Sequence, residues 1–161
     1  MTKIKNKTAL TLILSFSIFA LFTAYFIQYA LGHQPCNLCL IERIPYIIAI
    51  IIISLCLFFK QFEKLLLIVL SIVFFSLTIL SIYHFGIEQG FISESLVCNL
   101  NTKIEDLDKD TILKELSKQP ISCKDINFKI LGLSLATINI FISLILTIIT
   151  FKLFLNYEKN K

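Results

Sequence analysis

His33-Gln34-Pro35-Cys36-Asn37-Leu38-Cys39-Leu40-Ile41-Glu42-Arg43 lies between two long hydrophobic runs. It is a Cys-x-x-Cys pair followed by a Glu-Arg dipeptide. If the stretch turns at a membrane face, the runs on either side are spanning helices and the thiols sit at the mouth of one of them. Two thiols at this spacing close and open a disulfide with little chain movement. At such a place they can pass electrons between water and lipid. Cys98 and Cys123 lie in the only long polar stretch of the chain, which makes a redox function the first expectation.

Composition supports the membrane reading. The 161 residues are 57% hydrophobic and only 16% charged, the wrong balance for a soluble domain that must present a polar exterior. Four runs approach the roughly 20 residues a helix needs to cross about 30 Å of hydrocarbon. They are Thr8–Leu31, Leu40–Phe59, Leu65–Tyr83 and Ile130–Phe151, with outer loops at 32–43 and 84–130. The expected fold is an all-α integral membrane protein: a single domain, residues 1–161, built as a four-helix transmembrane bundle. The second run is the weakest, because its uninterrupted part begins at Ile44. Glu42 and Arg43 must therefore lie at the membrane boundary or face protein. Lys3, Lys5 and Lys7 before the first run also suit a signal peptide, but an apolar region there is about 7–15 residues. Thr8–Leu31 exceeds that, so an uncleaved first span is expected.

Lysine placement sets the expected orientation. Segments 1–7, 60–64 and 152–161 hold eight basic residues in 22, whereas 32–43 and 84–130 hold seven in 59. The denser set faces the cytoplasm. Both termini are then cytoplasmic, and Cys36, Cys39, Cys98 and Cys123 share the outer, oxidising compartment. The net charge of +4 follows from this topology and makes no case for nucleic-acid binding. In the second outer loop, Thr102-Lys103-Ile104-Glu105 matches a capping box. Ile104, Leu107, Leu113 and Leu116 add an apolar stripe that Pro120 closes. A short amphipathic helix is expected there, either on the membrane surface or packed on the outer ends of the spans.

The five cysteines divide by setting. Cys56 sits between Leu55 and Leu57 inside the second run and reads as a small, inert, buried hydrophobe. Pro35 favours an extended approach and a helix start, so Cys36 and Cys39 fall near the N-terminus of the second span. Free N–H groups and the helix dipole there favour a thiolate. Arg43 follows Cys39 by four residues, on the same helical face, and is the chain's only arginine. A permanent planar cation at this depth suggests a task beyond anchoring, although a snorkelling anchor is the simpler role. No metal is expected, since a zinc site usually pairs one Cys-x-x-Cys with another close pair, and Cys98 and Cys123 are far apart. Covalent haem attachment would want His where Leu40 stands. Three classes stay open on the residues alone: a redox enzyme, a thiol metal carrier, and a non-enzymatic membrane subunit with stapled outer loops. A staple at Cys36–Cys39 would restrict the unfolded chain little.

Cys36-x-x-Cys39-x-x-Glu42-Arg43 between two spans, with a second cysteine pair in the outer loop between spans three and four, resembles the bacterial disulfide bond formation protein B (DsbB) family. Tyr83-His84-x-Gly86-x-Glu88 and Leu131-Gly132-Leu133-Ser134-Leu135-Ala136 add to the likeness, which covers nearly the whole chain. The related vitamin K epoxide reductase family carries its quinone-proximal Cys-x-x-Cys late in the chain, a poorer match. The resemblance implies a protein-disulfide:quinone oxidoreductase of the bacterial inner membrane, in the system known to keep the periplasm oxidising. By that likeness, a DsbA-like periplasmic thiol oxidase reduces Cys98–Cys123, with Cys98 forming the mixed disulfide. Electrons then pass to Cys36–Cys39 and on to a membrane quinone, ubiquinone or menaquinone. Cys39 would be the thiolate facing the quinone, Arg43 would stabilise charge on its oxygen, and His84 would be a neighbour.

Overall fold

In the computed structural model the described residues are 2–59, 62–93, 123, 129–130 and 133–159. Among them, four helical stretches are long and apolar enough to cross a membrane: Lys7–Tyr29, Asn37–Phe58, Glu63–Glu88 and Leu135–Tyr157. The helices are α1 (Thr2–Tyr29), α2 (Asn37–Ile41), α3 (Arg43–Phe58), α4 (Glu63–Glu88) and α5 (Leu135–Lys159). The second span is thus made of two pieces. Pro45 explains the break, because it has no N–H for the carbonyl of Ile41 and its ring crowds that carbonyl. Glu42 sits at the joint and is turned inward, only 8% exposed.

The expected helical bundle is present, with differences at the end that carries the thiol pair. The third span, α4, continues past Tyr83 to Glu88, so His84 and Glu88 are helical. Gly90, at φ +77°, follows the last turn in the left-handed conformation that ends helices. Ile92 then folds back, its N–H bonding the carbonyl of Gly86 at 3.1 Å. A Cβ on Gly86 would stand 2.7 Å from Ile92 Cδ1, so any larger residue there requires the Ile92 side chain to turn aside. The fourth helix begins at Leu135, later than the apolar run does. Lys129–Ile130 (β1) pairs antiparallel with Leu133–Ser134 (β2), a small hairpin not expected in an all-α chain. Ser134 ends the hairpin and caps the helix, its Oγ accepting the N–H of Thr137 at 3.2 Å. The amphipathic helix expected around 102–120 lies outside the described residues.

Apolar side chains at helical spacing build the core. Leu67, Leu70, Phe74 and Leu77 form the inner stripe of α4. They pack with Leu10 and Ile13 of α1, Ala49 and Ile53 of α3, and Leu146 and Leu153 of α5. Inside this core Ser71, Thr78 and Thr150 satisfy their hydroxyls on carbonyls of their own helices. Phe19, Phe22, Phe58, Ile72 and Phe141 point outward, as a lipid-facing surface requires. A second, smaller cluster at the start of α2 and the end of α4 gathers Cys36, Leu38, Ile87 and Cys123.

Candidate functional site

The thiol pair is organised by the start of α2. Cys36 is its N-cap, in extended backbone conformation (φ −69°, ψ 166°), and its sulfur accepts the N–H of Cys39 at 3.3 Å. The two sulfurs are 2.7 Å apart, and both are free thiols. His84, from α4, brings Nε2 to 3.5 Å from Cys36 Sγ. Three features favour negative charge on Cys36: the Cys39 thiol hydrogen bond first, then the nearby His84 ring, and the helix-start N–H. Against the opposing effect of burial, they bring the Cys36 thiol down from its ordinary 9.0 to about 5. The family resemblance implied Cys39 as the thiolate facing a quinone, while the residues alone favoured a thiolate at either sulfur. The geometry favours Cys36, whose sulfur is the one that meets both the Cys39 N–H and the His84 ring.

Behind the thiols lies a buried polar network drawn from all of the last three spans. His84 Nδ1 donates to Glu42 Oε1 at 3.0 Å, since a carboxylate can only accept. A neutral ring then presents Nε2 as an acceptor to the Cys36 thiol, and a ring that has taken that proton presents Nε2–H as a donor to the thiolate. Asn139, from α5, donates through Nδ2 to Glu42 Oε2 at 3.1 Å and to Ser81 Oγ at 2.9 Å. Its carbonyl oxygen accepts from the Tyr46 hydroxyl at 2.6 Å. On the other side, Ser134 Oγ donates to Glu88 Oε2 at 2.5 Å. Every polar atom named here has a partner, which lets such a network sit among apolar helices without a large desolvation cost.

Arg43 is held separately. Its Nη1 donates to Gln28 Oε1 of α1 at 2.6 Å, and its guanidinium carbon stands 4.8 Å from the centre of the Tyr25 ring. A stacked, hydrogen-bonded guanidinium is fixed in place, whereas a snorkelling anchor would be free to swing. Arg43, Cys36, Cys39, His84 and Cys123 line one cavity of about 340 Å³, whose remaining wall includes Phe16, Phe19, Ala20 and Ile142. An apolar pocket with a few convergent polar groups at one end suits a ligand with a polar ring and a hydrocarbon tail.

Of the residues expected from sequence, Cys36, Cys39, Cys123, Arg43 and His84 therefore meet around one cavity. Cys123 is buried and disulfide-bonded. Cys98 lies outside the described residues. Cys56 belongs to α3 and lies in the main core, apart from this cluster. A Cys56→Ala chain is expected to keep its catalytic rate within about twofold of wild type and to lose little stability, since the volume change is small. Thermal melts and turnover on the same preparation check both parts, and near-complete loss of turnover would refute the division of the cysteines. The sequence reading missed Asn139, Ser81, Tyr46 and Gln28. Polar residues inside apolar spans were the available signal, because such residues usually face protein and serve a function.

Comparison with known proteins agrees with this geometry. The family model for Disulfide bond formation protein DsbB matches residues 6–153. A Rickettsia prowazekii (strain Madrid E) protein described as uncharacterized protein RP370 is 35% identical over 160 residues, covering 98% of this chain and 92% of its own length. No solved structure matches. With four membrane-crossing helices and a thiol pair at the mouth of the second, this multi-pass membrane protein belongs to the DsbB family of disulfide-forming oxidoreductases.

Proposed function

We propose that the protein is a thiol:quinone oxidoreductase that reoxidises a soluble, DsbA-like thiol oxidase of the periplasm and discharges the electrons into a membrane quinone. On this reading its cysteine loops face the periplasm and its termini the cytoplasm, which the lysine distribution supports. The observation that carries the reading is the meeting of Cys36, Cys39, Arg43, His84 and Cys123 around one largely apolar cavity. Cys98–Cys123 would receive electrons from the partner, and Cys36–Cys39 would receive them from Cys123.

The residues divide the work. Bound in the cavity, a quinone supplies a two-electron acceptor whose oxygens take up two protons. Arg43 supplies a fixed cation beside the position of a reduced ring oxygen, the logic of an oxyanion site. His84 Nε2 can take the proton of Cys36, while Glu42 holds the ring in the tautomer that leaves Nε2 free. Cys36, as thiolate, closes the disulfide with Cys39. Two S–H bonds break, one S–S bond forms, and the electron pair leaves with the acceptor. Direction must come from the acceptor's potential, since each 30 mV is worth about 1.4 kcal/mol in a two-electron step.

The test is dithiol-dependent reduction of a short-chain quinone by the purified protein. Activity is expected to require both Cys36 and Cys39. Arg43→Lys keeps the charge but cannot both stack on Tyr25 and bond Gln28 in the same way. It should raise the apparent KM for quinone by about tenfold, with a smaller defect in accepting electrons from the partner. Unchanged quinone dependence in Arg43→Lys would reduce Arg43 to an anchor. No quinone reduction by the wild-type protein would sink the proposal as a whole.

A further inference from the structure

We propose that the reduced site is also a redox-gated binding site for a thiophilic divalent cation, with zinc(II) the best fit, and that the bound ion inhibits the enzyme. The sequence offered no second close cysteine pair, so a four-thiolate site had no support. The fold supplies a different donor set. Cys36 Sγ, Cys39 Sγ and His84 Nε2 come from two elements and lie within 4.8 Å of one another. Glu88 Oε1, outside that group, stands 3.9 Å from His84 Nε2 and would serve as a fourth donor by moving toward the ion. Two sulfurs, one imidazole nitrogen and one carboxylate oxygen make a donor set that zinc accepts in tetrahedral geometry.

The surroundings are those of a metal site as well as of a redox site. A zinc-bound histidine needs its second nitrogen protonated and held by a carboxylate or carbonyl. Glu42 does this for His84, at 3.0 Å from Nδ1, and is itself held by Asn139. Ser134 fixes the other oxygen of Glu88. The sulfurs, now 2.7 Å apart, must separate by about 1 Å to sit at zinc–sulfur distances near 2.3 Å. Cys36 precedes the helix and Cys39 is in its first turn, so small side-chain rotations suffice.

Binding releases the two thiol protons and changes no oxidation state: two thiols and one zinc(II) give a dithiolate complex and two protons. While the ion holds both thiolates, their electron pairs are committed to it and Cys36 cannot close on Cys39. Once the pair is a disulfide, two of the four donors are gone and the site has no affinity. The inhibitory part rests on the function proposed above, whereas the binding part does not.

Zinc(II) binding to the full-length protein in lipid nanodiscs, measured by competition with a chromophoric chelator, tests it. Phosphine-reduced protein should bind one zinc per chain, and the oxidised protein none. Cobalt(II) should give sulfur-to-metal charge-transfer absorption from two thiolates, with the visible bands of a four-coordinate ion. Glu42→Gln, a conservative change outside the donor set, should weaken zinc binding by about 10–100-fold. Cys56→Ala should leave binding unchanged. Equal binding by oxidised protein, full affinity in Cys39→Ser, or loss in Cys56→Ala would each overturn the site. Quinone reduction by zinc-free protein separates the two ideas. Activity without reduced-state zinc binding refutes the metal site alone, while zinc binding without activity refutes the redox reading and leaves the site standing.

Discussion

Cys36 is expected to be alkylated well before Cys39 at about pH 6, in a chain where Cys98→Ser and Cys123→Ser isolate the pair. A thiol reacts as its thiolate, and Cys36 is brought down to about 5. Above that value it is charged and reactive; as pH falls through it, the sulfur takes a proton and the rate drops. The largest single cause is the hydrogen bond from Cys39, followed among the favourable causes by His84. Removing the Cys39 donor with Cys39→Ala should therefore move the midpoint most. A midpoint raised from about 5 to about 7 would cut the rate at about pH 6 by about tenfold, because the charged fraction falls from about nine-tenths to about one-tenth. His84→Gln should have a smaller effect, about twofold at the same pH. Peptide mapping after brief labelling across a pH series reads both. If Cys39 is modified first at acid pH, or if His84→Gln changes nothing, charge does not reside on Cys36.

That result bears on what a sequence can show. The four spans were legible because a membrane helix is specified by the length of an apolar run, a local property. The thiol pair at the start of span two was legible from Pro35 and the Cys-x-x-Cys spacing. Which sulfur carries the charge was not, because the helix N-terminus favours both, and the group that distinguishes them comes from far along the chain. His84 reaches Cys36 only when the rotational phases of α2 and α4 are fixed by packing. The same holds for Glu42, which the sequence left at the boundary or facing protein. Asn139, whose amide bridges Glu42 and Ser81, chooses the second. The helix ends were missed for a related reason. His84 and Glu88 look like loop residues to a hydropathy reading, yet both have buried partners and so stay helical. The hairpin before α5 displaced the expected start because Ser134 serves as cap.

A Cys39→Ser chain, otherwise intact, is expected to lose turnover altogether and to accumulate a disulfide between Cys36 and Cys123. Cys36 keeps His84 beside it, so it remains a nucleophile, while its ordinary resolving partner is gone. Cys123, already in a disulfide, is buried in the same small cluster, with Leu38 and Ile87 around both sulfurs. The Cys36 thiolate attacks Cys123 Sγ and the Cys36–Cys123 bond forms. The other sulfur of the original bond, that of Cys98 on the proposed pairing, leaves as thiolate. No oxidant is consumed, because one thiolate and one disulfide give another of each. In the wild-type protein the same exchange, run in reverse order, is the step that would carry electrons from the loop pair to the helix pair. Non-reducing peptide mapping should find Cys36 linked to Cys123 in Cys39→Ser and one new free thiol. The companion Cys36→Ser chain should form no comparable Cys39–Cys123 link, because Cys39 lacks the histidine contact. Equal capture of Cys123 in both variants would mean that proximity alone governs the exchange and that His84 has no part in choosing the nucleophile. No capture in either would separate Cys123 from the relay and leave the cavity with a single working pair.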